Sequence, residues 1–255
     1  MSTRPDKRIR YRETETCPLC GNEYKQVSQH WVQSDCSHPE LSDYQREVVT
    51  GCLMGDGCVH RSGEGKNPWL HVSSITVPYL TYLFDELGWL SSSVTLHMTA
   101  EESARQCRDT GFSPNARAEN YHDRYLFYSK SAPGLVPFYE WYESGSKVWP
   151  ADIELTPTVL KHWYCGDGSL RNGKSPTIVT VNEFGSEEKI ESMLSRRGLP
   201  VPNWRKRGQE YTYNGKTSDR TALFAYWPAS VSDGFWEYIG DPLPGFEYKW
   251  PEEYR

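Results

Sequence analysis

The sequence predicts an α+β protein of two pseudo-symmetric halves, each reading αββαββα, preceded by a small zinc-binding module. Two observations predict the halves. The same order of helix and strand patterns occurs twice, and each copy starts with an apolar helix that ends in Gly-Asp-Gly. A cluster of Cys and His before the first copy predicts the module. The expected boundaries are 1–16 for a basic flexible arm, 17–40 for the module, 41–152 for the first half and 153–255 for the second.

Each half is expected to begin with a capped helix. Ser42 and Gln45 fit an S-x-x-Q capping box, and Thr156-Pro157 supplies a capping Thr with Pro at the first helical position. The helices end at Gly55-Asp56-Gly57 and Gly166-Asp167-Gly168. A carboxylate there is mildly unfavourable, because it meets the negative end of the helix dipole. Two such acids at matched positions therefore indicate a cation site.

The segments after the two motifs follow the same order in both halves. Each motif leads into a hairpin, a helix closed by glycine, two further strands and a short aromatic helix. In the first half the expected strands are 57–61, 66–72, 94–98 and 123–128, and the expected helices are 78–87 and 135–142. In the second half the strands are 168–171, 174–181, 210–214 and 221–227, and the helices are 187–197 and 231–239. Two copies of one unit account for this repeat.

Composition argues against several classes of protein. No apolar run approaches the roughly 20 residues needed to cross a bilayer, and the first residues lack the apolar segment of a secretion signal. We therefore expect a soluble, intracellular (cytoplasmic) chain. Seven cysteines, an odd number, argue against a disulfide framework. The net charge of −6 disfavours nucleic-acid binding by the surface as a whole, but basic residues cluster at 7–12, 61–66, 171–174 and 196–207.

The N-terminal cluster of Cys and His predicts a zinc site. Cys17 and Cys20 form a C-x₂-C pair followed by glycine, the common first half of such a site. His30 and Cys36 would complete a tetrahedral set, with His38 as the alternative to Cys36. A segment this short cannot bury its own core, so bound Zn²⁺ would supply its folding energy; scattered free thiols are the other interpretation. The remaining cysteines are expected to be packing residues: Cys52, Cys58, Cys107 and Cys165.

Over roughly residues 41–255 the chain resembles the single-chain LAGLIDADG homing endonucleases. The nine-residue motif of that family ends in a small residue, an aspartate and a glycine, as residues 55–57 and 166–168 do here. Leu155-Thr156-Pro157 resembles the Leu-Thr-Pro that often precedes the second family motif. Each half also has a lysine shortly before a proline, Lys147 and Lys249, and these resemble the active-site lysines of single-chain members.

The resemblance implies roles for the two motif endings. Asp56 and Asp167 would meet at a pseudo-twofold axis and bind Mg²⁺ between the scissile phosphates. The backbone carbonyls of Gly55 and Gly166 would be further ligands. The two lysines would stabilise charge in the transition state or polarise the metal-bound water.

In this family the hairpins form saddles that lie in the major groove, so polar side chains near the turns are expected to contact double-stranded DNA. The candidates are Arg61, Lys66, Arg171, Lys174, His60, Asn172 and His71. The arginines and lysines among them could equally be edge charges that prevent strand-to-strand aggregation. Gly51 and Gly55 lie on one helix face and permit close packing of the motif helices, but His162 stands where the second helix would repeat Gly51.

The leading hypothesis is a monomeric, site-specific endonuclease that uses Mg²⁺ to break both strands of a long asymmetric site. An RNA maturase that assists intron splicing on the same scaffold is one alternative. A non-catalytic DNA-binding regulator is another. Retention of both aspartates argues against the regulator, because a binding-only protein has no reason to keep acids facing phosphates.

Overall fold

The computed structural model describes residues 7–142, 145–180, 187–213 and 216–255. The N-terminal segment contains β1 (Arg8–Tyr11), β2 (Glu15–Thr16), β3 (Glu23–Tyr24) and α1 (Val27–Gln33). The first half contains α2 (Asp43–Met54), β4 (Gly57–His60), β5 (Trp69–Ser74), α3 (Val77–Glu86), β6 (Ser91–Met98), α4 (Ala100–Asp109), β7 (Arg124–Ser129) and α5 (Val136–Tyr139). The second contains α6 (Pro157–Asp167), β8 (Gly168–Arg171), β9 (Ser175–Val179), α7 (Glu187–Ser195), β10 (Asn203–Tyr213), β11 (Lys216–Tyr226) and α8 (Ser232–Ile239).

Each half forms one antiparallel sheet. The strand order is β1-β6-β7-β5-β4 in the first half and β10-β11-β9-β8 in the second. The expected αββαββα order is confirmed in both, with α4 inserted between the last two strands of the first half. Residues 181 and 214, predicted as strand ends, lie outside the described residues. None of the described helices is both long and apolar enough to span a bilayer.

The N-terminal arm departs from the sequence prediction. Beyond residues 1–6, which are outside the described part of the chain, Arg8–Tyr11 pairs with β6 as an edge strand. Arg10 Nη2 lies 2.9 Å from Asp85 Oδ1 on α3, and Lys130 Nζ lies 2.8 Å from Glu15 Oε1 with both side chains largely buried. The expectation of a flexible arm is therefore wrong for this stretch. All four residues of β1 are exposed, the apolar Ile9 among them. Backbone pairing with β6 holds the strand, so it has no buried face that an apolar pattern could indicate.

Helix α4 was also not predicted. Thr99 and Glu102 form a capping box at its start, and Asp123 accepts a hydrogen bond from the Ala100 amide at 2.8 Å. Only Ser103 and Ala104 of this helix are buried. Its stability therefore depends on local capping, and the helix lacks the apolar stripe that would reveal it in a sequence.

The starts of both motif helices are as predicted. Ser42 Oγ accepts a hydrogen bond from the Gln45 amide at 3.1 Å, and Gln45 Oε1 accepts one from the Ser42 amide at 3.0 Å. At the second helix, Thr156 Oγ1 accepts from the Val159 amide at 3.3 Å. The capping box and the Thr-Pro start are confirmed.

The motif helices α2 and α6 pack against each other at glycine. A Cβ placed on Gly51 would lie 2.6 Å from both the Val159 carbonyl oxygen and the His162 Cβ. One placed on Gly55 would lie 3.2 Å from the Gly166 Cα. The sequence asymmetry thus has a steric reason: the missing side chain of Gly51 makes room for His162, whose Nδ1 lies 3.0 Å from the Tyr79 hydroxyl.

Candidate active site

The two motif aspartates lie where the C-terminal ends of α2 and α6 meet. A Cβ on Gly166 would lie 3.0 Å from the Asp56 amide nitrogen and from the Gly55 Cα. Gly55 and Gly166 therefore bring the backbones together where each helix ends, and the chain turns into β4 and β8 immediately afterwards. The structure thus brings Asp56 and Asp167 together from positions far apart in sequence.

The two candidate lysines stand at matched positions, one beside each motif ending. Lys147 Nζ donates to the carbonyls of Leu53 at 2.7 Å and Gly55 at 3.0 Å. Lys249 Nζ donates to the carbonyls of Cys165 at 2.6 Å and Gly166 at 3.4 Å. Each ammonium group thus caps the carbonyl end of its own motif helix, where a positive charge offsets the helix dipole.

Buried tryptophans fix the loops that carry these lysines. The Trp149 ring packs edge-on against Trp163, with centroids 5.2 Å apart. The Trp250 ring packs edge-on against Tyr164, also at 5.2 Å, and the Tyr164 hydroxyl donates to the Lys249 carbonyl at 2.8 Å. The tryptophan of each loop therefore anchors that loop against α6.

The electrostatics of the pair favour a bound cation. Burial raises the pKa of Asp56, while Lys249 and Lys147 act to lower it. Burial, reinforced by the negative charge of Asp56, raises the pKa of Asp167 to about 7 even though both lysines oppose the change. Burial likewise lowers the pKa of Lys249. A cation bound between the two carboxylates would offset the negative charge that burial makes unfavourable.

The donor set fits a hard divalent cation. Asp56 and Asp167 offer carboxylate oxygens, the ligand type that Mg²⁺ and Ca²⁺ prefer over nitrogen or sulfur. The carbonyls of Gly55 and Gly166, predicted as further ligands, accept hydrogen bonds from the two lysines. A cleft of about 390 Å³, lined in part by Asp56, Arg124 and Lys249, gives access to Asp56.

The sheet of the first half presents a polar surface opposite its core. In β4 and β5 the buried residues Val59, Leu70 and Val72 point toward the helices. His60 and His71 project from the other face, with ring centroids 4.6 Å apart. Burial, with contributions from neighbouring histidines, lowers the pKa of His71 to about 4, so this side chain is neutral at physiological pH.

The remaining predicted DNA contacts differ in exposure. The half-buried Arg61 has its guanidinium 4.5 Å from the Tyr139 ring centroid, so it is partly engaged within its own half. In the second half Asn172 has a φ of 52° and is followed by a glycine at 71°, which fits a type I′ hairpin turn. The exposed members of the set are Lys66, Arg171, Asn172 and Lys174.

Sequence reasoning did not single out Arg205 and Arg207, two arginines on the second sheet, which also carries the predicted contact Arg171. The guanidinium groups of Arg171 and Arg205 lie 5.4 Å and 5.0 Å from the centroid of the same Tyr226 ring. Arg207 is exposed and, two residues along β10, shares the face of Arg205. Lys206, between them, lies 3.1 Å from Glu187 on α7 and so occupies the helix side. Strand alternation puts Arg205 and Arg207 on one face, but the basic run 205–207 contains no apolar residue that would show which face it is.

The N-terminal module brings together the four predicted zinc ligands. One ligand atom from each of Cys17, Cys20, His30 and Cys36 lies within 4.8 Å of all the others. His38, the alternative ligand, is outside this group, and its ring lies 5.4 Å from Trp31.

The thiol of Cys17 has an environment suited to a thiolate. Burial alone would raise its pKa. Hydrogen bonds from the backbone of Cys20 and Leu19 and from the Trp31 indole nevertheless lower the pKa of Cys17 to about 6. The indole Nε1 lies 3.3 Å from Cys17 Sγ. A thiol that loses its proton readily is ready to bind a metal.

Comparison with known proteins gives two findings. The family model described as the LAGLIDADG DNA endonuclease family matches residues 46–197, which include both Gly-Asp-Gly endings. The chain is also similar to a solved structure titled "The homing endonuclease I-WcaI bound to its DNA recognition sequence", with a TM-score of 0.61 over 89% of this chain and 93% of that one. The two sequences are 16% identical, so this second likeness concerns the fold. No protein with curated annotation matches.

Proposed function

We propose that this chain, which belongs to the LAGLIDADG DNA endonuclease family, is a metal-dependent enzyme that breaks both strands of a long, asymmetric DNA site. The observation that carries the proposal is the pair formed by Asp56 and Asp167 at the touching ends of α2 and α6. One carboxylate and one lysine come from each half, so each half supplies the groups for one strand of the duplex.

The two aspartates and the two lysines would have different roles in phosphodiester hydrolysis. Asp56 and Asp167 would hold Mg²⁺, which when bound supplies Lewis-acid charge to the phosphate oxygens. Lys147 and Lys249 place positive charge beside each carboxylate and stabilise the negative charge that develops at each scissile phosphate. Their hydrogen bonds to the motif carbonyls hold them in this position.

The DNA surface would be the faces of the two sheets that lie opposite their helices. The second sheet offers Arg171, Arg205 and Arg207, and the first offers His60 with Lys66 in its turn. This arrangement reconciles phosphate binding with the net charge of −6, because the basic side chains share one surface. Among the residues that the structure describes, helix α4 and strand β1 have no counterpart in the second half, so the two halves would read different half-sites.

The N-terminal module would be a structural Zn²⁺ site held by Cys17, Cys20, His30 and Cys36. Its own buried apolar residues are Cys17, Val27 and Trp31, too few to fold a segment without a metal. A cleft of about 630 Å³ between the module and β1 is lined in part by Arg8, Lys25 and Gln29. We assign this cleft as an additional DNA contact next to the first sheet.

The proposal is tested by cleavage of a randomised DNA library in Mg²⁺, followed by sequencing of the product ends. Wild-type protein should give specific ends, whereas Asp56→Asn and Asp167→Asn should give none and still bind the selected site. Asp109→Asn, an exposed acid at the end of α4, is the matched control and should cut like wild type. Full cleavage by either motif variant would sink the catalytic assignment.

The wild type and the two motif variants also distinguish the endonuclease from an RNA maturase and from a non-catalytic regulator. A maturase would accelerate splicing of an intron RNA independently of both motif aspartates. A binding-only regulator would select a DNA site and leave it uncut in Mg²⁺ and in Mn²⁺.

A further inference from the structure

Three potential metal ligands meet on the polar face of the first sheet, apart from both sites described above. Cys58 and His60 lie on β4, and His71 lies on β5. One ligand atom from each of the three lies within 4.8 Å of the other two. In the part of the chain that the structure describes, no fourth Cys, His, Asp or Glu joins this group.

The strand geometry places these three side chains on one surface. Cys58 is directly opposite His71 in the antiparallel register, and residues so paired have Cβ atoms about 5 Å apart. Val59, between Cys58 and His60, is buried in the core, so its two neighbours project from the opposite face. The cluster is therefore set by two paired strands, and its ligands start from a rigid backbone.

We propose that Cys58, His60 and His71 form a second Zn²⁺ site with one coordination position open to the DNA-facing surface. One thiolate and two imidazoles are a soft to borderline set that suits Zn²⁺ and disfavours Mg²⁺. Three protein ligands with a fourth position left for water or substrate is the usual form of a zinc site that is not purely structural.

Binding changes the charge of this surface. Cys58 loses its thiol proton to solvent when the zinc–sulfur bond forms, so the site gains one positive charge: two from the cation, less one from the thiolate. Cys58 is two residues from Asp56. On the DNA-facing surface the added charge would attract a phosphate or a purine nitrogen.

The proposal is tested by zinc content, which does not depend on whether the chain cuts DNA. Wild-type protein, Cys58→Ser and His60→Asn are equilibrated in a zinc buffer, separated from free metal and analysed by mass spectrometry of the metal. Each variant should hold one zinc ion fewer than wild type. The matched control is Cys107→Ser, a half-buried cysteine on α4 outside both clusters, which should hold as much as wild type.

Substitution with Co²⁺ tests the ligand set. The wild-type spectrum minus that of Cys58→Ser should show a sulfur-to-cobalt charge-transfer band in the near ultraviolet. The His60 ring is exposed, so His60→Asn should preserve the fold, which thermal unfolding in chelator checks. Equal zinc content in wild type and either variant overturns the site, as does a difference spectrum without the sulfur band.

Discussion

The acid at the end of each motif helix is tolerated because a lysine stands next to it. An aspartate at a helix C-terminus meets unpaired carbonyls and the negative end of the dipole. Lys147 and Lys249 donate to those carbonyls in their own halves and also oppose the rise that burial causes in the pKa of Asp56. The lysines thus have a structural role and a proposed catalytic one, and a variant must separate the two.

Replacing either lysine by methionine should reduce DNA cleavage by roughly 10²-fold, the usual loss when one charge-stabilising donor is removed. The Met side chain keeps the aliphatic packing but cannot stabilise a developing phosphate charge. Lys161→Met, a half-buried lysine on α6, is the control and should cleave normally. Single-turnover rates on a selected target measure the effect. A rate within twofold of wild type for Lys147→Met or Lys249→Met contradicts the proposed role.

The raised pKa of Asp167 predicts a pH dependence of stability in the absence of metal. Its folded-state pKa, about 7, exceeds that of an unfolded carboxyl, so the unfolded chain releases its proton first as pH rises. Stability should therefore fall between about pH 4 and pH 7, by up to about 4 kcal/mol from this group. Urea unfolding in chelator measures this. Asp167→Asn should remove most of the dependence and be more stable than wild type at pH 8; identical pH profiles contradict the assignment.

At the scale of elements, strong periodicity and capping signals made the repeat predictable. Both motif helices begin at the predicted caps, and the described strands of each half follow the predicted order. Strand β1 was missed because it is exposed along its whole length, and α4 because it is polar. Strand pairing holds β1 and helix capping holds α4, so neither element depends on an apolar pattern that the sequence could show.

The functional surface was less predictable for a related reason. Periodicity gives the face of a strand only when one side is apolar, and the basic run at 205–207 has no such side. The structure assigns the two faces of this run: Lys206 lies next to Glu187 on the helix side, and Arg205 lies over Tyr226 on the other side. The meeting of Cys58 with His71 depends on the strand register, which a turn of irregular length such as 61–68 does not specify in the sequence.

Close packing of the motif helices predicts a steep cost for a methyl group at Gly51. In Gly51→Ala the new Cβ would lie 2.6 Å from the Val159 carbonyl and from His162 Cβ, so α2 and α6 must move apart. The free energy of unfolding should fall by about 1–3 kcal/mol, and cleavage should fall with it because the aspartates separate. Gly234→Ala in α8, with no atom within 4 Å, should instead be neutral or stabilising by about 1 kcal/mol. Urea unfolding compares the two; equal stabilities would refute the tight contact.

The whole molecule combines a symmetric centre with an asymmetric surface. The aspartates and lysines are matched between the halves, whereas β1, α4 and the Cys/His module have no counterpart in the described part of the second half. Chemistry on two equivalent phosphates requires the first property. Recognition of a non-palindromic target requires the second, because each half must present different side chains to its own half-site.

The surface assignment makes its sharpest prediction for two adjacent residues on β10. If the face opposite the helices contacts phosphates, Arg205→Gln should weaken binding of a selected site and reduce the slope of log K against log salt by about 1. Lys206→Gln removes the same charge one residue away, on the side that contacts Glu187, so it should leave the slope unchanged. Both are measured in the Asp56→Asn background to prevent cleavage. Both variants lose one positive charge, so a difference in slope between them cannot come from net charge. Equal slopes would place the DNA on a different surface.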